Sequence, residues 1–335
     1  MDIPRPTAGR QARYTRRGPV PQDVVSADSF DVAAPAAGQV LVEVLAAPIN
    51  PSDVLTLTGD YGSLPPLPAI GGNEGVGRVI ATGDGVTAPR VGQTVLLPVG
   101  SGTWSTHLVL DAATLVPLPD GADPVQLSML AINPPTAKLL LDAVPLQPGD
   151  WVIQNAANSA VGGYLVQLAK ARGLRTVNVV RRDSAVDGVR ALGADAVLVD
   201  GDDLAERVKA ATGGAKVALG IDAVGGMATE RLAQALAPGG TVINYGAMGG
   251  EACAMSPASL IFRGITLRGF WLARWFKTVD AGTRNALFAE LVAMIAAGRL
   301  HAPVHATYGI DAIREAVAAA AAGGRSGKIV VVPTG

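Results

Sequence analysis

Residues 150–183 read DWVIQNAANSAVGGYLVQLAKARGLRTVNVVRRD, and the hydrophobic pattern changes period twice within them. Trp151–Gln154 predicts a short buried strand. Asn155–Gly163 is small, polar and flexible. Val161, Leu165 and Leu168 then recur at helical spacing, Gly173 closes that helix, and the β-branched run Thr176–Val180 predicts a second strand. This is a βαβ unit with a tight turn at the head of its helix. Free N–H groups and the positive helix end gather there, which suits a pyrophosphate. The usual glycine fingerprint of such turns is eroded, since Ala157, Ala160, Gly162 and Gly163 occupy it. Read alone, the turn also fits an ordinary α/β domain.

The end of the second strand adds the missing information. A unit built for NAD places an acid about 20 residues beyond the glycine turn, where it bonds the ribose 2′-hydroxyl. Arg181 and Arg182 stand there instead. Paired guanidiniums grip a 2′-phosphate with charge-assisted bonds, so the expected cofactor is NADPH.

Outward from this unit, the pattern repeats. Strands are predicted at Ala196–Val199, Val217–Ile221, Thr241–Tyr245 and Ile265–Phe270, with helical segments between most of them. Six strands alternating with helices fit a doubly wound parallel sheet. Upstream, Val40–Leu45, Val76–Ala81, Thr94–Leu97 and Thr106–Leu110 are short, Pro/Gly-punctuated strand signals that suggest a small β-rich barrel. Asn50-Pro51-Ser52-Asp53 predicts a turn or short helix capped by Ser52 or Asp53. Asp123–Ala143 is an apolar helical region interrupted by Asn133-Pro134-Pro135. A helix is predicted near 284–297, and Ala318–Ala322 belongs to another. The tail Lys328–Val332 is an apolar strand that needs a sheet to join, and the upstream barrel is its natural host. The fold class is therefore α/β, with a nucleotide domain at 123–272 inserted between residues 1–122 and 273–335 of a second domain.

Composition narrows the function. With 335 residues, 49% hydrophobic and 16% charged, there is material for two cores. A net charge of −1 gives nucleic acid or an anionic membrane no electrostatic hold, and neither is expected as a partner. No run of 18 apolar residues exists. The first residues lack an apolar signal core, so the cytoplasm is expected. Cys253 is the only cysteine, which rules out an intrachain disulfide and a Cys₄ or Cys₂His₂ zinc site. No metal is expected.

Nine further stretches carry a resemblance: AAPINPSD (46–53), GDYG (59–62), GGNEGVG (71–77), GTW (102–104), INPPTA (132–137), VIQNAANSAVG (152–162), NVVRR (178–182), YGAM (245–248) and LRGFWLARW (267–275). In these, and in the order barrel, nucleotide domain, barrel tail, the chain resembles the medium-chain dehydrogenase/reductase superfamily. Within it, the chain is similar to the 2-enoyl thioester reductases of mitochondrial-type fatty acid synthesis. INPSD and the glutamate loop are shared with quinone oxidoreductases, whereas GDYG with GFWLARW is more specific. The resemblance implies a GroES-like β-barrel beside a Rossmann sheet. It also implies NADPH-dependent reduction of the C2=C3 bond of enoyl-CoA or enoyl-acyl carrier protein, the alternative being a quinone or enone reductase.

It implies site residues as well. The family's catalytic tyrosine falls on Tyr61. For the cofactor it points to Asn133, to Ser159, Ala160, Val161 and Gly162, to Arg181 and Arg182, to Tyr245, Gly246, Ala247 and Met248, to Phe270, Trp271 and Leu272, and to Lys328. Zinc-dependent members carry a His-Glu pair in the glycine loop. Asn73-Glu74 stands there in this chain, which agrees with a metal-free enzyme. Glu74 is expected to bond backbone amides of its own loop. Reduction of a conjugated thioester leaves charge on the thioester oxygen and needs a proton at Cα, and a phenol is a proton donor at neutral pH. The apolar edge at Thr241–Tyr245 and Ile265–Trp271 predicts a homodimer.

Overall fold

The computed structural model describes residues 6–334. The chain packs as two compact units, Met1–Ile132 with Phe288–Gly335, and Asn133–Leu287. The second unit thus begins and ends later in the chain than the expected 123–272: residues 123–132 pack with the first unit and residues 273–287 with the second.

In chain order, the first unit contains β1 (Ala8–Tyr14), β2 (Val25–Asp31), β3 (Gln39–Pro48), α1 (Pro51–Thr58), β4 (Ala69–Ile70), β5 (Val76–Thr82), β6 (Thr94–Leu96), β7 (His107–Asp111), β8 (Val116–Pro117) and α2 (Pro124–Leu127). The second unit contributes α3 (Asn133–Leu141), β9 (Trp151–Gln154), α4 (Ala160–Ala171), β10 (Arg175–Val180), α5 (Val186–Ala191), β11 (Ala196–Val199), α6 (Leu204–Thr212), β12 (Val217–Asp222), α7 (Met227–Ala235), β13 (Thr241–Asn244), β14 (Thr266–Gly269) and α8 (Leu272–Thr278). The chain returns along α9 (Ala281–Ala296) to β15 (Val304–Tyr308), α10 (Ile313–Ala321) and β16 (Lys328–Val331).

In the second unit, the six strands form one parallel sheet in the order β11-β10-β9-β12-β13-β14. The order in which strands are added reverses between β9 and β12, the switch point at which doubly wound folds bind ligands. Each strand is short and apolar because helices cover it. Ile153, Val177, Val179, Leu219, Ile221 and Val242 are all buried. Val161, Leu165 and Leu168 of α4 are buried as their spacing predicts.

The first unit is built around β3. Its residues 40–43 pair antiparallel with both β5 and β7, and its end at Ala47–Pro48 pairs with β16. The C-terminal strand therefore does join the upstream sheet, next to β15. Val40, Val42, Val44, Leu57, Trp104, Ile313 and Ile329 share one core. A separate three-stranded sheet, β2-β1-β4, has no counterpart in the strand signals read from sequence. VSADSFD is mostly serine and aspartate and AGRQARY mixes arginine and glutamine with alanine and glycine, so pairing rather than propensity makes them strands. Among the described residues, no helix is long and apolar enough to cross a membrane.

Candidate active site

In the second unit, the nucleotide turn has the geometry its sequence promised. Ser159 caps α4, and its hydroxyl accepts the Gly162 N–H at 3.1 Å. The amides of Ala160 and Val161 lie in the first turn, where a helix offers no acceptor of its own. A Cβ added at Gly162 would stand 2.6 Å from the carbonyl oxygen of Ala157. Glycine is what lets the helix head seat directly on the turn. Behind it, the Gln154 amide donates to Gly162 O at 3.0 Å and to Asn178 Oδ1 at 2.7 Å. A fixed helix N-terminus at the switch point fits a dinucleotide's pyrophosphate.

Most of the other expected cofactor residues of this unit follow its strands at the same carboxyl edge. Arg181 and Arg182 follow β10 directly and are exposed. Tyr245–Met248 follows β13, with the Tyr245 N–H bonded to Asp222 O and the Met248 N–H to Ala223 O, both at 2.9 Å. Burial pushes the Tyr245 phenol well above the ordinary range, and Ser159 acts to lower it. Phe270 follows β14, its N–H bonded to Asn244 O at 2.8 Å. Trp271 caps α8 and is half-exposed, while Leu272 is buried. Asn133 is buried at the start of α3, which packs on α4. Lys328 alone of the expected set belongs to the first unit.

Beneath this edge lies a network that the sequence reading missed. Asp222, fully buried at the end of β12, accepts from Asn155 Nδ2 (2.6 Å), Thr229 Oγ1 (2.7 Å), Asn244 Nδ2 (3.0 Å), and the backbone N–H groups of Val224 (2.9 Å) and Gly225 (3.1 Å). Burial works to raise its carboxyl, but the donors prevail and hold it below the usual carboxylate range. Asn155 also accepts the Ala223 N–H at 2.7 Å. The turn after β9 and the loop after β12 are thereby tied together. The only signal in sequence was an acid closing an otherwise apolar strand.

In the first unit, α1 carries the GDYG loop at its end. Asn50 is its N-cap and Pro51 its first residue, so neither Ser52 nor Asp53 caps it as expected. Asp53 instead accepts the Asn50 N–H at 2.7 Å and the Asn73 N–H at 3.1 Å. The helix closes on Gly59 at φ 97°, a left-handed conformation that favours glycine. The amides of Gly59, Asp60 and Tyr61 converge on Leu55 O at 3.0, 2.9 and 3.2 Å. Tyr61 is half-buried.

Glu74 differs from expectation. Its carboxylate reaches outside its own loop. One carboxylate oxygen accepts from Asn50 Nδ2 at 2.6 Å and the other from the Ile132 N–H at 2.9 Å. It is Asp53 that takes the loop amide of Asn73. Lys328 completes the cluster. Its ammonium donates to Ile49 O at 3.0 Å and to Asn50 Oδ1. Burial drives Glu74 up to about 7, against the pull of Lys328, and Asp53 up to about 6. Burial likewise lowers Lys328 to about 8, opposed by both carboxylates. Among the described residues, no group of three or more His, Cys, Asp or Glu could hold a metal ion.

Comparison with known proteins adds identity to this geometry. Residues 36–120 match the alcohol dehydrogenase GroES-like domain family and residues 160–295 the zinc-binding dehydrogenase family. A mouse protein named mitochondrial enoyl-[acyl-carrier-protein] reductase is 40% identical over 305 residues, covering 89% of this chain and 82% of the relative. A putative NADPH:quinone reductase from Bacillus thuringiensis superposes with a TM-score of 0.87 at 29% identity, over 97% of this chain and 99% of that one. A structure titled as a complex of Etr1p with NADP and crotonyl-CoA superposes with a TM-score of 0.87 at 25% identity, over 97% and 99% of the two chains.

Proposed function

The chain belongs to the enoyl-[acyl-carrier-protein] reductases of the medium-chain dehydrogenase/reductase superfamily, and from that premise we propose that it reduces the C2=C3 bond of trans-2-enoyl thioesters with NADPH. The observation that carries the reading is the carboxyl edge of the six-stranded sheet. A capped helix head and two exposed arginines on it have the chemistry that a pyrophosphate and a 2′-phosphate call for, in a chain whose relatives are named enoyl-[acyl-carrier-protein] reductases.

NADPH, when bound, supplies the hydride that adds to Cβ. The residues proposed to hold it are Asn133, Ser159–Gly162, Arg181, Arg182, Tyr245–Met248, Phe270–Leu272 and Lys328. The first turn of α4 binds the pyrophosphate through its amides, and the arginines recognise the 2′-phosphate. Tyr61 donates the proton that the reduced thioester requires, at the enolate oxygen or at Cα. A metal ion has no part in this scheme, since a phenol and backbone dipoles can stabilise the charge that zinc would otherwise neutralise.

The test sets crotonyl-CoA, a longer enoyl-CoA and a benzoquinone side by side, each with NADPH and with NADH, before and after EDTA treatment. Enoyl turnover that prefers NADPH and survives EDTA is the expected result. Turnover of the quinone alone would transfer the chain to the second reading, favoured by its likeness to the B. thuringiensis protein. Tyr61→Phe separates the two chemistries. It removes only the donor, so kcat on crotonyl-CoA should fall about 10²–10⁴-fold with little change in KM. Quinone reduction needs no proton delivered to carbon and should persist. More than half of wild-type enoyl turnover in this variant would exclude Tyr61 as the donor.

The proposed partner is a second copy of this chain. β14 is an edge strand, and Leu260, Ile261 and Phe262 just ahead of it are 45%, 71% and 84% exposed. Such an edge asks to be covered. Light scattering at micromolar concentration should give twice the 33.9 kDa chain mass, and a monomer there would refute the pairing. The cytoplasm is the proposed compartment, although the relatives are named mitochondrial. Cell fractionation decides between them.

A further inference from the structure

The buried charges around Asn50 make a poor stabilising device. Glu74, Asp53 and Lys328 are all buried within the first unit, two acids against one base. Removing such groups from water costs several kcal/mol per ion, and apolar residues of the same volume often hold a core at least as well. What the cluster does supply is register, because each bond in it has one geometry.

The bonds form a single lattice. Asn50 stands at its centre. Its backbone N–H goes to Asp53, its side-chain N–H to Glu74, and its side-chain oxygen accepts from Lys328. Glu74 ties in Ile132, Asp53 ties in Asn73, and Lys328 ties in Ile49. Four separate segments thus meet at the N-cap of α1. That helix is eight residues long, a rod of about 12 Å. Its far end holds Tyr61 through the Leu55 carbonyl, and its flank is tied by the Gly18 N–H to Leu57 O at 3.1 Å.

We propose that Asn50 and Glu74 are positioning residues for the reduction, acting through α1: the lattice fixes the helix head, and the helix fixes Tyr61. The inference rests on the enoyl-reductase reading above, since it assigns the lattice a role in placing that reading's proton donor. The charged groups facing Glu74 are Asp53 from α1 and Lys328 from β16. Arg325, in the segment before β16, acts on Lys328 in turn.

Glu74→Gln tests it at constant size. An amide cannot accept from both Asn50 and the Ile132 N–H on its two ends. One donor must then face another, and if the Asn50 side chain turns to avoid this, its amide meets the Lys328 ammonium. The mismatch therefore spreads to the α1 head whichever way it resolves. Three readouts follow. With crotonyl-CoA, kcat should fall at least about tenfold with KM changed less than about threefold. In the protein without cofactor, amide exchange across residues 54–61 should quicken at least about tenfold, while exchange in the remote strands β5 and β6 stays at the wild-type rate. The melting temperature should stay within about 3 °C of wild type.

A variant with wild-type kcat and wild-type exchange at 54–61 overturns the inference, even if its melting temperature drops, because the lattice would then be structural alone. If Glu74→Gln does not fold, Asn50→Ser decides by the same readouts, since it keeps a small polar cap on α1 and removes the bridge to Glu74 and Lys328. Failure of both variants to fold would itself overturn the inference in favour of a purely structural lattice. A wild-type protein inactive on every enoyl thioester would instead sink the functional reading and leave the exchange result standing.

Discussion

Asp222 in the second unit and Glu74 in the first are both fully buried carboxyl groups, and their surroundings treat them in opposite ways. Asp222 receives five hydrogen bonds from neutral donors and is held below its ordinary range. Glu74 accepts from Asn50 and from the Ile132 N–H, lies beside a second carboxylate, Asp53, that draws on the same lysine, and rises to about 7. Desolvation is the largest influence in both cases. The donors around Asp222 outweigh it, and those around Glu74, with a second carboxylate nearby, do not. A carboxylate ringed by amides and a hydroxyl keeps its charge at every working pH and serves as a fixed tie between loops. One set against a second carboxylate and a single lysine can take up a proton near neutrality.

The largest expected consequence of this contrast is in stability. Asp222→Asn turns one acceptor into a donor opposite Thr229 and Asn244, and it weakens the three bonds at the other oxygen. Hydrogen bonds to charged groups contribute roughly 1.5–3 kcal/mol, and a buried donor left unmet costs about 1–3 kcal/mol. The variant should lose at least about 3 kcal/mol in urea unfolding. Glu74→Gln, the same chemical change in the other unit, should lose much less. Equal losses would mean that the two sites do not differ as the opposite displacement of their carboxyl groups implies.

The same contrast explains what could be read in advance. The nucleotide sheet was legible because its information is local. Strand, turn, helix head and the Arg181-Arg182 pair follow one another within about 35 residues, and period and residue type suffice to place them. The Asp222 network was not, because Asn155, Thr229 and Asn244 reach it from three other segments, and nothing in their local pattern marks a common destination. Glu74 misled for a related reason. Its glycine loop offered nearby amides, but its partners come from Asn50 and Ile132. The cap of α1 was misplaced by two or three residues, because Asn50, Ser52 and Asp53 are all good caps, and Pro51 favours the first helical position. β1 and β2 were missed because their residues are poor strand formers that pairing overrides.

The smallest expected effect is the pH dependence of stability, and here the two sites pull apart. Glu74 and Asp53 have folded-state values of about 7 and about 6, above those of an unfolded chain. The folded protein therefore binds their protons more tightly. Their contribution is full in acid below the unfolded values and is lost as pH rises through 6 and 7. Lys328, lowered to about 8, contributes the other way. Its share is present above the unfolded lysine value and is lost as pH falls through 8. The lattice is thus least stabilising between about pH 7 and 8. Asp222, held low, adds stability that disappears only in stronger acid, as pH falls through its folded value. Between pH 7.5 and 5.5 the two lattice carboxyls add stability, while His107, whose imidazole burial holds below its ordinary value, removes some as the unfolded chain takes up that proton. With two carboxyls against one half-buried imidazole, the melting temperature should rise by roughly 2–4 °C. Glu74→Gln removes one of the two acids and should at least halve that rise, whereas Asp222→Asn should leave its slope unchanged. A wild-type protein that loses stability over this interval, or a rise that Glu74→Gln does not diminish, would show that the lattice is charge-balanced at neutral pH, and the distinction drawn between the two carboxyl groups would fail.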